Sequence, residues 1–488
     1  MTRRGRQSKE FAINRSSRYA SRPFVRLIAG ATAAILAMAA APAAFAQSTI
    51  RDTEIEGIIR GWSDPVFDAM GLEPSEVEVL LVNDPELNAF ATRGRIIGIN
   101  TGLILKTEDP NQLLGVLAHE AGHVKNRHTL RDGAQQAGMQ PFLMSMALGA
   151  LAVVAGAPDA GVALMASGQY FGALNSLRYI QSQEGEADIT AQRGLEAAGE
   201  SGRGLVEFFE NFRSQEVFSD ARRYPYFRSH PLSGQRIEAL RRPVEAASHY
   251  GHVDSPERLA QHALILAKIH AFMDPPNTTL RAYPESDTSF PGRYARAIAW
   301  YRDGQTQKAL DATDALIAED ADNPYLWELK GQILFEEGRA REAIDAHRES
   351  VRLAPEAPLL RVNLAHALIE TNDASNLNEA INQLKFATAR EEDNTLAWRL
   401  LSQAYASQGK EGEARLASAE FYFAAGGQEQ ATQFALRARD MLDRGSIEWR
   451  RAMDIVLSSG ATMDDIQDLD RRNERRRERQ TVVVPPGA

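Results

Sequence analysis

The sequence is expected to fold as a mostly helical α+β domain with a small sheet, followed by an all-α solenoid of stacked helix pairs. Three observations carry that expectation. Two histidines stand four residues apart on a long apolar run, short β-rich stretches lie just ahead of them, and glycine and alanine marks recur through the C-terminal half at a spacing of 34 residues. At 488 residues the chain exceeds what one core organises and calls for two or three domains.

The histidine pair reads His119-Glu120-Ala121-Gly122-His123. On a helix, positions i and i+4 lie one turn apart on the same face. Two imidazoles so placed can grip one zinc ion, and Glu120 between them is positioned as a general base toward water at the metal. The preceding run, Asn111-Gln112-Leu113-Leu114-Gly115-Val116-Leu117-Ala118, suits a helix packed in a core. A His-Glu-His cluster on such a helix costs desolvation energy unless it has a job. A buried helix that happens to carry two histidines is the weaker reading.

A zinc site needs a third protein ligand. The extended motif with glycine three positions after the second histidine and a third histidine three further on is excluded, because those places hold Asn126 and Thr129. His128 is one position out of register and reads as a support beside the ligands or as a surface residue. The better candidate lies in Gln183-Glu184-Gly185-Glu186-Ala187-Asp188, where Glu184 and Asp188 again share a helix face. Glu184 could bind zinc, and Asp188 could accept the outer N–H of a zinc-bound histidine and so fix its tautomer. Without the HExxH sequence these acids would read as a solvated helix face.

Residues 1–46 read as a signal peptide. Eight Arg or Lys residues precede an apolar run from Leu27 to Ala40, and Ala44-Phe45-Ala46 offers a small-x-small cleavage site before Gln47. The run is short for a comfortable membrane span; an uncleaved anchor is the alternative. These residues hold 8 basic and 1 acidic side chains, so the rest of the chain keeps 47 and 64, a net charge of −17. That balance argues against a nucleic-acid partner. With no Cys there are no disulfides, no thiol catalysis and no lipid attached at Cys. Together these features point to the periplasm.

Along the mature chain, Val77-Glu78-Val79-Leu80-Leu81-Val82 reads as a strand, and Asn88-Ala89-Phe90-Ala91-Thr92 with Arg95-Ile96-Ile97-Gly98-Ile99 reads as a hairpin about Arg93-Gly94. An exposed edge just before the histidine helix can hold a peptide as an added strand; a plain core sheet is compatible with that role. Between the two motifs, Phe142 to Gly156 and a second stretch from Val162 are rich in Leu, Met and Ala. Neither reaches the roughly 20 residues of a spanning helix. They read as Met-rich helices covering the site, as a lid or a membrane-surface contact, or equally as core. Residues 271–292 form a Pro-rich linker. Beyond it Gly304, Gly338 and Gly409 recur with Ala309, Ala343 and Ala414. The missing copy is centred near Asn372 and Ala380, and Trp327 and Trp398 keep the double step. A 34-residue period with small residues at the helix crossing is the tetratricopeptide (TPR) signature. Four copies are expected, the last, about 414–445, degenerate. Residues 468–488 are a polar tail expected to be disordered.

These features together resemble the zinc metallopeptidases of the HtpX and CAAX prenyl protease type. Among them the chain looks most like the BepA-like periplasmic protease-chaperones with a C-terminal TPR domain. The pieces that carry the resemblance are Leu87-Asn88-Ala89-Phe90, Thr101-Gly102-Leu103, the HExxH motif, Arg127-His128, Glu184-Gly185-Glu186-Ala187-Asp188 and Ser229-His230-Pro231-Leu232. The resemblance implies a zincin-like metallopeptidase domain over 47–270 and a TPR solenoid over 293–467. It implies one Zn2+ per chain held by His119, His123 and Glu184, and Glu120 as the catalytic base. It adds His230, which in such proteins can take the fourth metal position and keep the protease latent. Arg236, in the same segment, could support an oxyanion or a structural carboxylate. The implied partners are protein or peptide substrates, outer-membrane β-barrel precursors or their assembly machinery reached through the TPR domain, and a peripheral membrane contact. The rival readings are a TPR chaperone or scaffold with a latent protease domain, and a membrane-embedded protease.

Overall fold

The computed structural model describes residues 49–130, 133–154, 157–216, 226, 229–459 and 471. The signal peptide expected over 1–46 and nearly all of the tail expected over 468–488 lie outside these residues. The described chain from Thr49 onward is one compact unit.

The N-terminal part opens with β1 (Thr49–Ile50) and α1 (Thr53–Ala69), followed by β2 (Glu78–Val82), β3 (Ala89–Thr92) and β4 (Ile96–Asn100). The sheet order is β1-β2-β4-β3. β2 and β4 run parallel, and β3 closes one edge antiparallel to β4. The β3–β4 turn holds Gly94 and Arg95 at φ of 87° and 61°, the left-handed backbone that a tight hairpin demands. After the one-turn helix α2 (Thr101–Ile104) comes α3 (Pro110–Lys125), which carries HExxH. Asp109 caps α3 by accepting from the Gln112 N–H at 2.8 Å, and Pro110 sits in the first turn, where a missing N–H costs nothing. α3 is buried on every face from Pro110 to Val124. Its wall is α5 (Pro158–Ala197) on one side and α6 (Arg203–Glu216), with Phe208 and Phe209, on another. α4 (Gly133–Val154) pairs with the first half of α5 as a long hairpin, and α7 (Gly234–Glu245) follows the His230 segment.

α8 (Pro256–Met273) belongs to two cores at once. Ile265 and Ile269 join the core of the sheet and α3, whereas Leu264, Ala267 and Ala271 join the core of the repeats. The Pro-rich stretch 271–292 is partly helical. It holds the end of α8 and the short helix α9 (Pro276–Ala282), and Arg296 ties the segment down by donating to the Pro284 carbonyl at 2.7 Å.

The repeats are the helix pairs α10 (Phe290–Arg302) with α11 (Thr306–Glu319), α12 (Pro324–Glu336) with α13 (Ala340–Leu353), α14 (Pro358–Glu370) with α15 (Leu377–Arg390), and α16 (Thr395–Ser407) with α17 (Glu411–Ala424). The turn between the two helices of each pair has one left-handed residue: Gly304, Gly338, Asn372 and Gly409. Asn is the side chain that tolerates this conformation best after Gly, which is why the third copy escapes a search for glycine. Ala309, Ala343, Ala380 and Ala414 are all buried at the crossings. Trp327 and Trp398 donate to the carbonyls six residues earlier, Ala321 and Glu392. The last copy, expected over about 414–445, begins instead with α16 at Thr395, and residues 428–439 of the expected span open a further, less regular pair. A fifth pair, α18 (Gln428–Arg439) with α19 (Ile447–Ser458), packs a small cluster of Ala431, Ala435, Ile455 and Val456 together with Ala419 of α17. Its longer connection breaks the 34-residue step that would have revealed it.

Where the two cores meet, buried Lys268 of α8 donates to Asp52 and Glu54 of the α1 start at 2.7 and 2.8 Å. Glu328 of α12 lies in the same charged cluster and accepts from Asn363 at 2.9 Å. Burial first, and the Asp52 charge second, push the Glu328 carboxyl up to about 8 against the pull of Lys268. A carboxyl whose folded pKa is raised contributes stability below its ordinary value of 4.5, and that contribution is lost as pH rises through about 8. Glu328→Gln should therefore gain thermal stability over the wild type as pH climbs through this window and hold a constant offset above it. Melting curves across the range check the sign; a gain that shrinks with pH would refute it.

Candidate metal centre

Two helices and one loop build the site. α3 contributes His119, Glu120 and His123; α5 contributes Glu184 and Asp188; the segment leading into α7 contributes His230. The helices approach closely because Gly122 faces α5. A Cβ there would lie 2.7 Å from the Ala187 carbonyl oxygen, so only glycine allows this contact without a shift. Ser233 caps α7 by accepting from the Arg236 N–H at 3.1 Å. This fixes the direction in which Arg236 enters the site.

His119, His123, Glu184 and His230 are all buried, and each offers one donor atom such that the four atoms lie within 4.8 Å of one another. His119 Nε2 is 3.2 Å from His123 Nε2 and 3.3 Å from His230 Nδ1. Glu184 stands among them, 3.0 Å from His230 Nδ1, 3.4 Å from His123 Nε2 and 3.5 Å from His119 Nε2. Glu120 is fully buried, and among the described residues neither carboxylate oxygen accepts a hydrogen bond; His230 Nε2 lies 3.5 Å from Oε1.

A ring of supports holds these groups. His119 Nδ1 is 2.9 Å from Asp188 Oδ1, so Nε2 is the atom turned toward the cluster. Arg236 grips Asp188 through Nε at 2.6 Å and Nη2 at 2.8 Å, and reaches Glu184 with Nη1 at 2.9 Å. Its guanidinium lies 4.8 Å from the Phe209 ring centre. Of the two roles open to Arg236, clamping carboxylates is the one observed. His128 is buried beside His123, with Nδ1 3.0 Å from His123 Nδ1 and Nε2 3.3 Å from Glu186. Phe209 and Tyr226 were not expected at the site. Tyr226 is fully buried with its ring 4.7 Å from that of His230, and its carbonyl accepts the His230 N–H at 2.7 Å. Neither aromatic carries a spacing that sequence reading could use.

The electrostatics favour positive charge at this point. Burial opposes a proton on His119, but hydrogen bonds to Asp188 and Glu184 outweigh it and push the ring up to about 9. Burial would also raise Glu184, yet the His230 charge and the contacts with His119 and His123 hold it well below the usual carboxylate range. Burial dominates at His123 and lowers it. Three nitrogen donors and one carboxylate converging in a buried pocket fit a tetrahedral zinc ion. The unsatisfied Glu120 carboxylate beside them fits a base that awaits a water.

A histidine pair on one helix, a glutamate from a second and a base between the histidines define a metallopeptidase. Residues 50–244 match the model of Peptidase family M48, and residues 313–420 match the TPR domain of cytochrome c-type biogenesis protein H. The chain is 25% identical over 395 residues to the beta-barrel assembly-enhancing protease of Escherichia coli (strain K12), covering 80% of this chain and 79% of that protein. The protein of that name from Yersinia pestis is 25% identical over 375 residues, covering 76% of each. Metalloprotease YcaL of Escherichia coli is 29% identical over 168 residues, 34% of this chain and 61% of its own.

Proposed function

We propose that the chain is a zinc-dependent endopeptidase of the periplasm that hydrolyses misfolded or stalled envelope proteins, with the TPR domain holding clients or outer-membrane assembly machinery. The observation that carries the reading is the convergence of His119, His123, Glu184 and His230 on one point beside an unsatisfied Glu120. The relatives named beta-barrel assembly-enhancing proteases support the client class, and the basic-apolar leader of residues 1–46 supports export.

Zinc held by His119, His123 and Glu184 would polarise a peptide carbonyl and acidify a water. Glu120 takes the proton from the attacking water and returns it to the leaving amine. Asp188 keeps His119 in the tautomer that presents Nε2, and Arg236 keeps Asp188 and Glu184 ionised in a buried setting. β3 is the end strand of the sheet, and an extended substrate would add to the sheet along Asn88–Thr92. His230, 3.0 Å from Glu184 through Nδ1, would take the fourth place at the ion and so keep the site latent.

His230→Ala should retain one zinc per chain and raise casein cleavage several-fold over the wild type. Metal analysis and proteolysis run side by side on the two proteins check this; reduced cleavage with zinc retained would make His230 part of the catalytic apparatus rather than a plug. A second reading is favoured by the closeness of His230 to both Glu184 and Glu120: a TPR chaperone whose protease opens only on demand. Zinc without cleavage in either protein would select it.

A further inference from the structure

The α4–α5 hairpin is built inside out. Its two helices meet through small residues: Ser145 on α4 faces Gly168 on α5, and Gly149 and Gly172, one turn further along each helix, are buried too. A Cβ on Gly168 would lie 1.9 Å from Ser145 Oγ, and that hydroxyl is already satisfied by donating to the Phe142 carbonyl at 2.8 Å. The large side chains point outward. Met144 is 66% exposed, Leu151 64%, Val162 62% and Tyr170 64%; Met139, Leu143, Leu148 and Phe171 are exposed as well. With about 100° between successive residues, Met139 and Leu143 flank one side of the Ser145 seam and Met144, Leu148 and Leu151 the other. From Pro141 to Val154 α4 carries no polar side chain but Ser145, a pattern seen where a helix is surrounded by nonpolar material.

Water would drive the large residues into the seam and leave small and polar ones outside. Small residues at the contact and large ones facing out is how helices pair where the surroundings are hydrocarbon. From Gly133 to Leu177 the sequence holds a single charged residue, Asp159. At the base of the hairpin, Lys125, Arg127 and Arg178 are exposed, cations at the level where acidic lipid headgroups would lie. No helix among the described residues is long and apolar enough to cross a membrane, which limits the contact to one surface.

We propose that the hairpin of residues 133–177 docks into the surface of an anionic lipid bilayer, its apolar flanks among the acyl chains and its basic base at the headgroups. The same helix α5 carries Glu184 seven residues beyond Leu177, roughly 10 Å further along. Docking therefore holds the metal centre near the lipid surface, where membrane proteins enter or leave the bilayer. This inference does not depend on the proposed peptidase clients.

The test is flotation of residues 47–488, which keep the whole compact unit, with vesicles of equal parts phosphatidylglycerol and phosphatidylcholine. The wild type should float with them, and float less with pure phosphatidylcholine. Met144→Glu combined with Leu151→Glu should lower the bound fraction by at least about tenfold without shifting the melting temperature, because both positions are exposed. Ile447→Glu, exposed on α19, should float as the wild type does. A wild type that stays in the soluble fraction overturns the proposal, as does a double variant that floats equally well. A photo-crosslinker at Leu151 that captures a protein in intact envelopes, with no vesicle binding, would assign the surface to a protein partner instead.

Discussion

Glu120→Gln is expected to cut casein cleavage by roughly 10²- to 10⁴-fold, the usual contribution of a positioned general base, while the zinc content stays at one per chain. Glu120 is fully buried, and both of its oxygens lack a hydrogen bond among the described residues. A carboxylate left in that state costs free energy in folding, so its retention fits a group whose partner arrives with the substrate water. Glutamine has the same shape but cannot take up the proton. It is also neutral, so the variant should fold as well as the wild type or better, which separates a chemical loss from a structural one. Metal analysis, a melting curve and a proteolysis assay on one preparation decide the matter. Cleavage within tenfold of the wild type would remove Glu120 from the mechanism.

Arg236→Met should have the second large effect, on the site's integrity rather than its chemistry. The guanidinium is the shared partner of Asp188 and Glu184; burial would raise the Asp188 carboxyl, and the Arg236 charge and hydrogen bonds, helped by His119, outweigh it and hold the group below the ordinary carboxylate range. Methionine fills much of the volume and leaves two buried carboxylates without their cation. Breaking a buried pair in this way costs about 3–5 kcal/mol, and the metal content should fall with it. The pH dependence has a definite sign. A depressed carboxylate contributes stability above its ordinary value of 3.8 and loses it as pH falls further. The deficit of the variant should thus be largest at neutral pH and shrink on acidification. Denaturant titrations at neutral and acid pH read this directly; an unchanged midpoint with full metal content would show that the clamp is dispensable.

Much of the metal site was legible because its parts are local. His119, Glu120 and His123 share one helical turn, and so do Glu184 and Asp188; helical spacing alone places each set on one face. The sequence offered nothing to bring α3 and α5 together, since that contact rests on Gly122 meeting the backbone at Ala187, a close approach with no periodic signature. Arg236 was legible as a nearby cation but not in its role, because its partners lie 48 and 52 residues away. His230 entered through resemblance alone: a His-Pro turn is ordinary, and only the fold carries the side chain to within 3.0 Å of Glu184. The repeats were legible while their turns kept a 34-residue step, and were lost at α18–α19, where the step changes. The hairpin between the motifs was open to opposite readings because composition records how apolar a helix is, not which residues face the partner helix.

The helix that serves two cores, α8, bears on how this protein could have been assembled and how it can be taken apart. A chain stopped at Met273 would turn Leu264, Ala267 and Ala271 toward solvent, and one started at Phe290 would lack the wall on which its first pair stacks. Recombination that exchanged the solenoid for another would have to carry the stretch from Pro256 along with it. The unit of exchange is then offset from the unit of chemistry by one helix, and laboratory halves cut at the proline-rich stretch would report the wound rather than the parts.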